Sequence, residues 1–111
     1  MTTSPEPHQV TVDDDGRTTA AADVSPPDDQ GVARSAMRVE SGQLPPGTRA
    51  RLVDAVIDDP AVSDASHLVA TVPTGDTGLV DRIRERADSV EVRATGATKF
   101  VEAELPPRPE R

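Results

Sequence analysis

Apolar positions in this chain fall into two rhythms, and the second half of the sequence shows both. Ala36-Met37-Arg38-Val39-Glu40 alternates, with Met37 and Val39 on one face, as a half-buried strand does. Gly42 to Gly47 breaks that run with Pro45 and Pro46 inside it. A helix is expected from about Arg49 to Asp58, with Thr48 as its N-cap, because Leu52, Val53, Val56 and Ile57 make one stripe. Pro60 should force the chain out of that helix, leaving residues 60–65 as a loop. His67 to Val72 has few polar positions and reads as an interior strand. Pro73 to Gly78 is a turn with Thr74 or Asp76 as the next N-cap, and Leu79, Val80, Ile83 and Ala87 mark a second helix over 77–87. Residues 90–94 and 98–105 alternate around a hairpin turn at Thr95-Gly96.

The order β-α-β-α-β-β predicts an α+β two-layer sandwich: a mixed four-stranded sheet with both helices on one face. This domain spans 34–106. Residues 107–111, rich in proline, are expected to be a disordered tail. Residues 1–33 are expected to be a disordered acidic leader. They hold seven acids and one base, giving −6 of the formal net charge of −8, and Pro5, Pro7, Pro26 and Pro27 interrupt them.

Composition narrows the function classes. The acidic balance disfavours phosphate backbones and anionic lipid surfaces, so neither nucleic acid nor membrane is an expected partner. With no cysteine, disulfides and thiolate chemistry drop out. No apolar run is long enough to span a bilayer and no signal peptide is visible, which makes the cytoplasm the expected location. Phe100 is the sole aromatic residue.

The order of elements over residues 36–105 resembles the C-terminal domain of bacterial translation initiation factor three and the sulfur carriers of the TusA type. The carriers work through a Cys-Pro motif and this chain has no cysteine. The initiation-factor domain binds RNA through a basic surface, whereas residues 34–111 carry thirteen acids and eleven bases. The resemblance therefore implies a topology and no activity. Ser41 to Leu52, Ser-Gly-Gln-Leu-Pro-Pro-Gly-Thr-Arg-Ala-Arg-Leu, is similar to stretches of small uncharacterised actinomycete proteins.

Candidate chemistry is sparse. Pro73-Thr-Gly-Asp-Thr-Gly78 leads from a strand into a helix N-terminus, a place that can hold an anion, but it lacks the spacing and the lysine of a nucleotide loop. Arg49 and Arg51 stand at the N-terminal end of the first helix and Asp58 and Asp59 at its C-terminal end, against the helix dipole. Such a misplaced arginine pair suits an acidic ligand or partner, is tolerated at small cost, or is matched by acids from another element. Asp13-Asp14-Asp15-Gly16 would make a poor calcium loop, since Thr11 and Ala22 would occupy its first and twelfth positions; it reads as a solvated acidic run. Ser66 and His67, adjacent in a strand, should face opposite ways and be unable to pair. Glu102 and Glu104 share a solvent face.

No catalytic residue, metal site or cofactor is assigned from these patterns. The expected function is a non-catalytic protein-interaction or regulatory module. The alternative is an anion-binding or enzymatic domain using the 73–78 turn with Arg49 and Arg51. Contacts with a partner or anion are expected at Arg49, Arg51, Thr74, Gly75 and Phe100. Phe100 either turns into the core through a bulge near Gly96 or anchors a homodimer on the helix-free sheet face.

Overall fold

The computed structural model describes residues 7–40, 44–45 and 47–106. The elements are β1 (His8–Asp14), β2 (Arg17–Ser25), β3 (Val32–Val39), α1 (Thr48–Ile57), α2 (Pro60–Ser63), β4 (His67–Pro73), α3 (Thr77–Arg86), β5 (Ser89–Thr95) and β6 (Thr98–Glu104). They build one mixed six-stranded sheet in the order β1-β2-β3-β4-β6-β5. Only β3 and β4 are parallel neighbours; every other pair is antiparallel.

The α+β class stands, but the sheet has six strands where four were expected. The two additional strands, and the start of β3, lie in the segment read as a disordered leader, and that reading is corrected. Among the described residues its acids stay out of the core. Asp13 and Asp23 are exposed on β1 and β2, Asp14 and Asp15 sit at the first turn, and Asp28 and Asp29 lie in the second connection. Between them Val10, Val12, Ala20, Ala22 and Val24 face the core. Asp15 and Gly16 both adopt positive φ, 51° and 79°, as a two-residue hairpin turn between twisted strands requires. In the second connection the Asp28 carboxylate accepts from the N–H groups of Gln30 and Val32 at 2.8 and 3.1 Å. Those bonds, that of Val32 first, hold its pKa below the ordinary aspartate value. The expected tail at 107–111 lies outside the described residues.

Two smaller readings are also corrected. Pro60 does not merely end a helix; it opens the short α2, at whose N-cap Asp59 accepts from Ala61 N–H at 2.9 Å. Thr48 does not cap α1. It is the first helical residue and its hydroxyl donates to Pro45 O at 2.8 Å.

Core-facing residues of the sheet meet Leu52, Val53, Val56 and Ile57 of α1, Ala61 and Val62 of α2, and Leu79, Val80 and Ile83 of α3. α1 lies over β1 and β2, where fully buried Ala22 and nearly buried Ala20 leave room for a helix to approach. α3 lies toward β5 and β6. The core is aliphatic throughout. Phe100 is not in it: at 36% exposure it projects from β6 on the side away from Val101 and Ala103.

Candidate active site

The parallel pair opens into a fork. β3 and β4 are paired from Val32–His67 to Ala36–Thr71. Beyond that level β3 continues to Val39 bonded only to β2, and β4 continues to Pro73 bonded only to β6. Two backbone edges therefore face each other without joining. Both α1 and α3 follow these strands, so both helices begin at the same end of the sheet. Carboxyl ends of parallel strands with helix N-termini above them are where open α/β sheets bind ligands.

A cleft of about 520 Å³ occupies this position, lined by Val39, Glu40, Arg49, Pro73, Gly75, Asp76, Thr77 and Gly78. Its volume lies within the ordinary range for small-molecule sites. The two helix ends differ. α1 starts at Gly47, in the left-handed region with φ 84°, with no side-chain cap and no acid in its first turn. α3 is capped by Asp76, which accepts from Leu79 N–H at 3.2 Å. The same carboxylate oxygen accepts from Arg49 Nε–H at 2.8 Å, so the ends of the two helices are tied across the cleft. Gly78 makes space for that tie, because a Cβ there would come within 2.7 Å of Arg49 Cδ.

A second set of contacts fixes the spacing of the helices. Arg82 grips Asp54 with Nε and a terminal nitrogen at 3.0 and 2.9 Å, and Arg86 reaches Asp54 at 2.7 Å and Asp58 at 2.8 Å. The Arg82 hydrogen bonds, joined by those of Arg86, hold the Asp54 carboxyl below its ordinary value against partial desolvation. Hydrogen bonding to Asp58 and Asp54 raises the pKa of Arg86, and bonding to Asp54 and Glu85 raises that of Arg82. The acids at the end of α1, unfavourable for its own dipole, are thus matched by arginines of α3.

Of the five expected contact residues the cleft gathers two, Arg49 and Gly75. Thr74 turns to the β5–β6 hairpin, donating from Oγ1 to Gly96 O at 3.1 Å and from N–H to Ala97 O at 3.0 Å. Arg51 is exposed on α1 and pairs with no acid among the described residues. Phe100 lies on the opposite sheet face. The sequence reading missed Glu40, which directly follows β3 at the cleft and is held by the Arg17 guanidinium. A strand running through glycine and proline into a helix was the signal, since such a strand carries its last residue to a ligand-binding edge.

Ser66 and His67 do approach, with Oγ and Nδ1 at 3.0 Å, contrary to the expectation from alternation. Ser66 precedes β4, so the two-residue period does not govern it. Its hydroxyl has Gly31 O as a second partner at 3.3 Å, and the pair sits at the end of the sheet away from the cleft.

The fold defined by these elements is that of N-acetyltransferases. A ribosomal-protein-alanine N-acetyltransferase from Brucella melitensis superposes with a TM-score of 0.60 at 14% identity, over 87% of this chain and 68% of its own. An acetyltransferase of the GNAT family from Streptococcus pneumoniae gives 0.62 at 12% identity, over 90% and 66%. The Salmonella typhimurium protein yncA, assigned to the acetyltransferases and solved with its cofactor acetyl-CoA, gives 0.62 at 13%, over 90% and 65%. The chain thus spans about two thirds of the length of these neighbours. In sequence it matches no protein-family model and no curated protein.

These neighbours replace the resemblances to initiation factor three, the sulfur carriers and small actinomycete proteins. They also overturn the expectation of a non-catalytic interaction module. That expectation rested on missing nucleophiles, metal clusters and nucleotide loops. Acyl transfer from a thioester to an amine needs none of them, because the donor arrives activated and the acceptor is the nucleophile. No helix of the described residues is long and apolar enough to cross a membrane.

Proposed function

We propose that this chain carries the acyl-donor site of an N-acetyltransferase, with acetyl-CoA bound in the fork between β3 and β4. The observation that carries this reading is the parting of the two parallel strands beyond Ala36–Thr71, at a cleft that Arg49, in the first turn of the uncapped α1, helps to line. The residues suit such a donor. The first turn of α1 holds no acid of its own and offers backbone N–H groups; Arg51 adds positive charge for phosphate groups, and Arg49 adds its charge from its pair with Asp76. The facing edges of β3 and β4 suit an extended, amide-bearing arm, which binds as an added strand does.

When bound, acetyl-CoA supplies the activated acyl group. The chain orients it and manages a proton. Glu40 is placed at the cleft to take the proton of an incoming ammonium, with Arg17 holding its carboxylate in position. Asp76 is less suited to that role because it is largely buried and caps α3, its Oδ1 taking bonds from both Arg49 and Leu79 N–H, whereas Glu40 stays half-exposed beside Arg17. We assign this activity to the cytoplasm, the compartment expected from the sequence.

Thermal unfolding with and without acetyl-CoA tests the reading. A ligand at about 100 times its Kd adds about 2.7 kcal/mol, which in a domain of this size raises Tm on the order of 10 °C. Glu40→Gln should keep that rise and lose acetyl transfer to amine acceptors. A Tm indifferent to acetyl-CoA and to CoA overturns the proposal.

A further inference from the structure

The helices cover one face of the sheet and leave the other bare. On the bare face the strand registers align side chains in rows. One row reads Asp23, Ala36, Thr71, Phe100, Arg93 across β2, β3, β4, β6 and β5. The next row reads Ser25, Arg34, Val69, Glu102, Glu91. β4 is the midline of both. To one side stand Arg34 and small Ala36; at the same distance to the other stand Glu102 and large Phe100.

From this we propose that the bare face is the interface of a homodimer, with the two-fold axis lying between the faces and running along β4. Such an axis carries each position to the mirror strand of the other copy at the same level. Arg34 then faces the partner's Glu102, Asp23 faces the partner's Arg93, and Phe100 covers the partner's Ala36. Val69 and Thr71 meet their own copies on the axis. A contact of this kind is self-complementary by construction.

Charge and shape agree. Within one copy Glu102 is held by Arg93 at 2.5 Å and Asp23 by Arg38 at 3.4 Å, so each acid gains a second cation from the partner. Phe100, the one large apolar side chain exposed among the described residues, gains cover against a residue small enough to admit it. Five strands about 4.8 Å apart and some five residues deep cover roughly 400 Å² of sheet per copy. About 800 Å² in all lies at the small end of protein contacts, which makes the dimer a weak one that forms only at high concentration. The contact does not depend on the acetyltransferase reading, because it lies on the face opposite the helices that flank the cleft.

Equilibrium sedimentation of the full chain at high micromolar concentration tests it. The expected mass approaches twice 11.7 kDa. Arg34→Glu and Glu102→Arg should each sediment as monomers, since each sets like charges opposite one another. An equimolar mixture of these two variants should dimerise again, because both cross-pairs are then opposite in sign. Phe100→Asp should be a monomer with the circular dichroism of the wild type. A wild type that stays monomeric overturns the proposal, as does a dimer that survives all three substitutions. A mixture that remains monomeric overturns it too, by showing that the single substitutions acted within one copy.

Discussion

The two helices that flank the cleft begin in opposite ways. α3 has an acidic cap, three arginines at 82, 84 and 86 toward its end, and a dipole satisfied from within. α1 has a left-handed glycine for a cap, no acid in its first turn, Arg49 and Arg51 near its start and Asp58 at its end. Taken alone, α1 is the worse helix. Its acids are answered by Arg82 and Arg86, and its floor is the β1–β2 hairpin. Tertiary contacts thus permit a helix terminus without a side-chain cap beside one that is already closed.

The comparison breaks most visibly if the hairpin is removed. A chain starting at Val32 lacks the strands beneath α1 and loses Val12 and Val24, each worth about 1.5–3 kcal/mol of burial. Cooperative thermal unfolding should disappear. A truncated chain that melts as the full one does would mean that α1 needs no such floor.

Substitution at the shared carboxylate comes next. Asp76→Ala uncaps α3 and releases Arg49, at a cost of about 1–2 kcal/mol measured by urea unfolding. Binding of CoA should not weaken, since the freed guanidinium remains at the α1 end. Loss of binding together with stability would assign the anion to α3 instead.

Asp54→Asn loosens the clamp between the helices, and about 1 kcal/mol is expected for this partly exposed group. The pH dependence has a definite sign. Asp54 titrates below its ordinary value of 3.8 in the folded chain, so its contribution is complete above that value. The contribution is lost as pH falls from there through the folded pKa. The variant should therefore lose less stability than the wild type below about pH 4. The smallest effect is expected at Ser35, whose buried hydroxyl has no hydrogen-bond partner among the described residues. Ser35→Ala should be neutral or stabilising by up to ~1 kcal/mol.

How far the sequence disclosed all this depends on where charge sits. From β3 onward, apolar period and turn residues placed every main element within a few positions, because burial there dominates side-chain choice. The hairpin was legible too: Val10 and Val12 alternate toward Asp15-Gly16, a strong local signal. Net charge over the whole segment hid it, since turns gather acids without telling whether the flanks pair. Asp59-Pro60 was likewise a helix start that read as a stop. The cleft was harder to see. The fork depends on where a parallel register ends, and Arg49 meets Asp76 across 27 positions. Nothing local to Glu40 marks it apart from its place at the end of a strand.

Amide chemical-shift mapping during titration with CoA tests the donor site most directly. Shifts should concentrate on Gly47 to Ala50 and on Met37 to Glu40, with the amides of Arg34, Phe100 and Glu102 on the bare face unmoved. Shifts confined to Thr74 to Gly78, or to the bare face, would contradict an acyl donor held between β3 and β4 at the open end of α1.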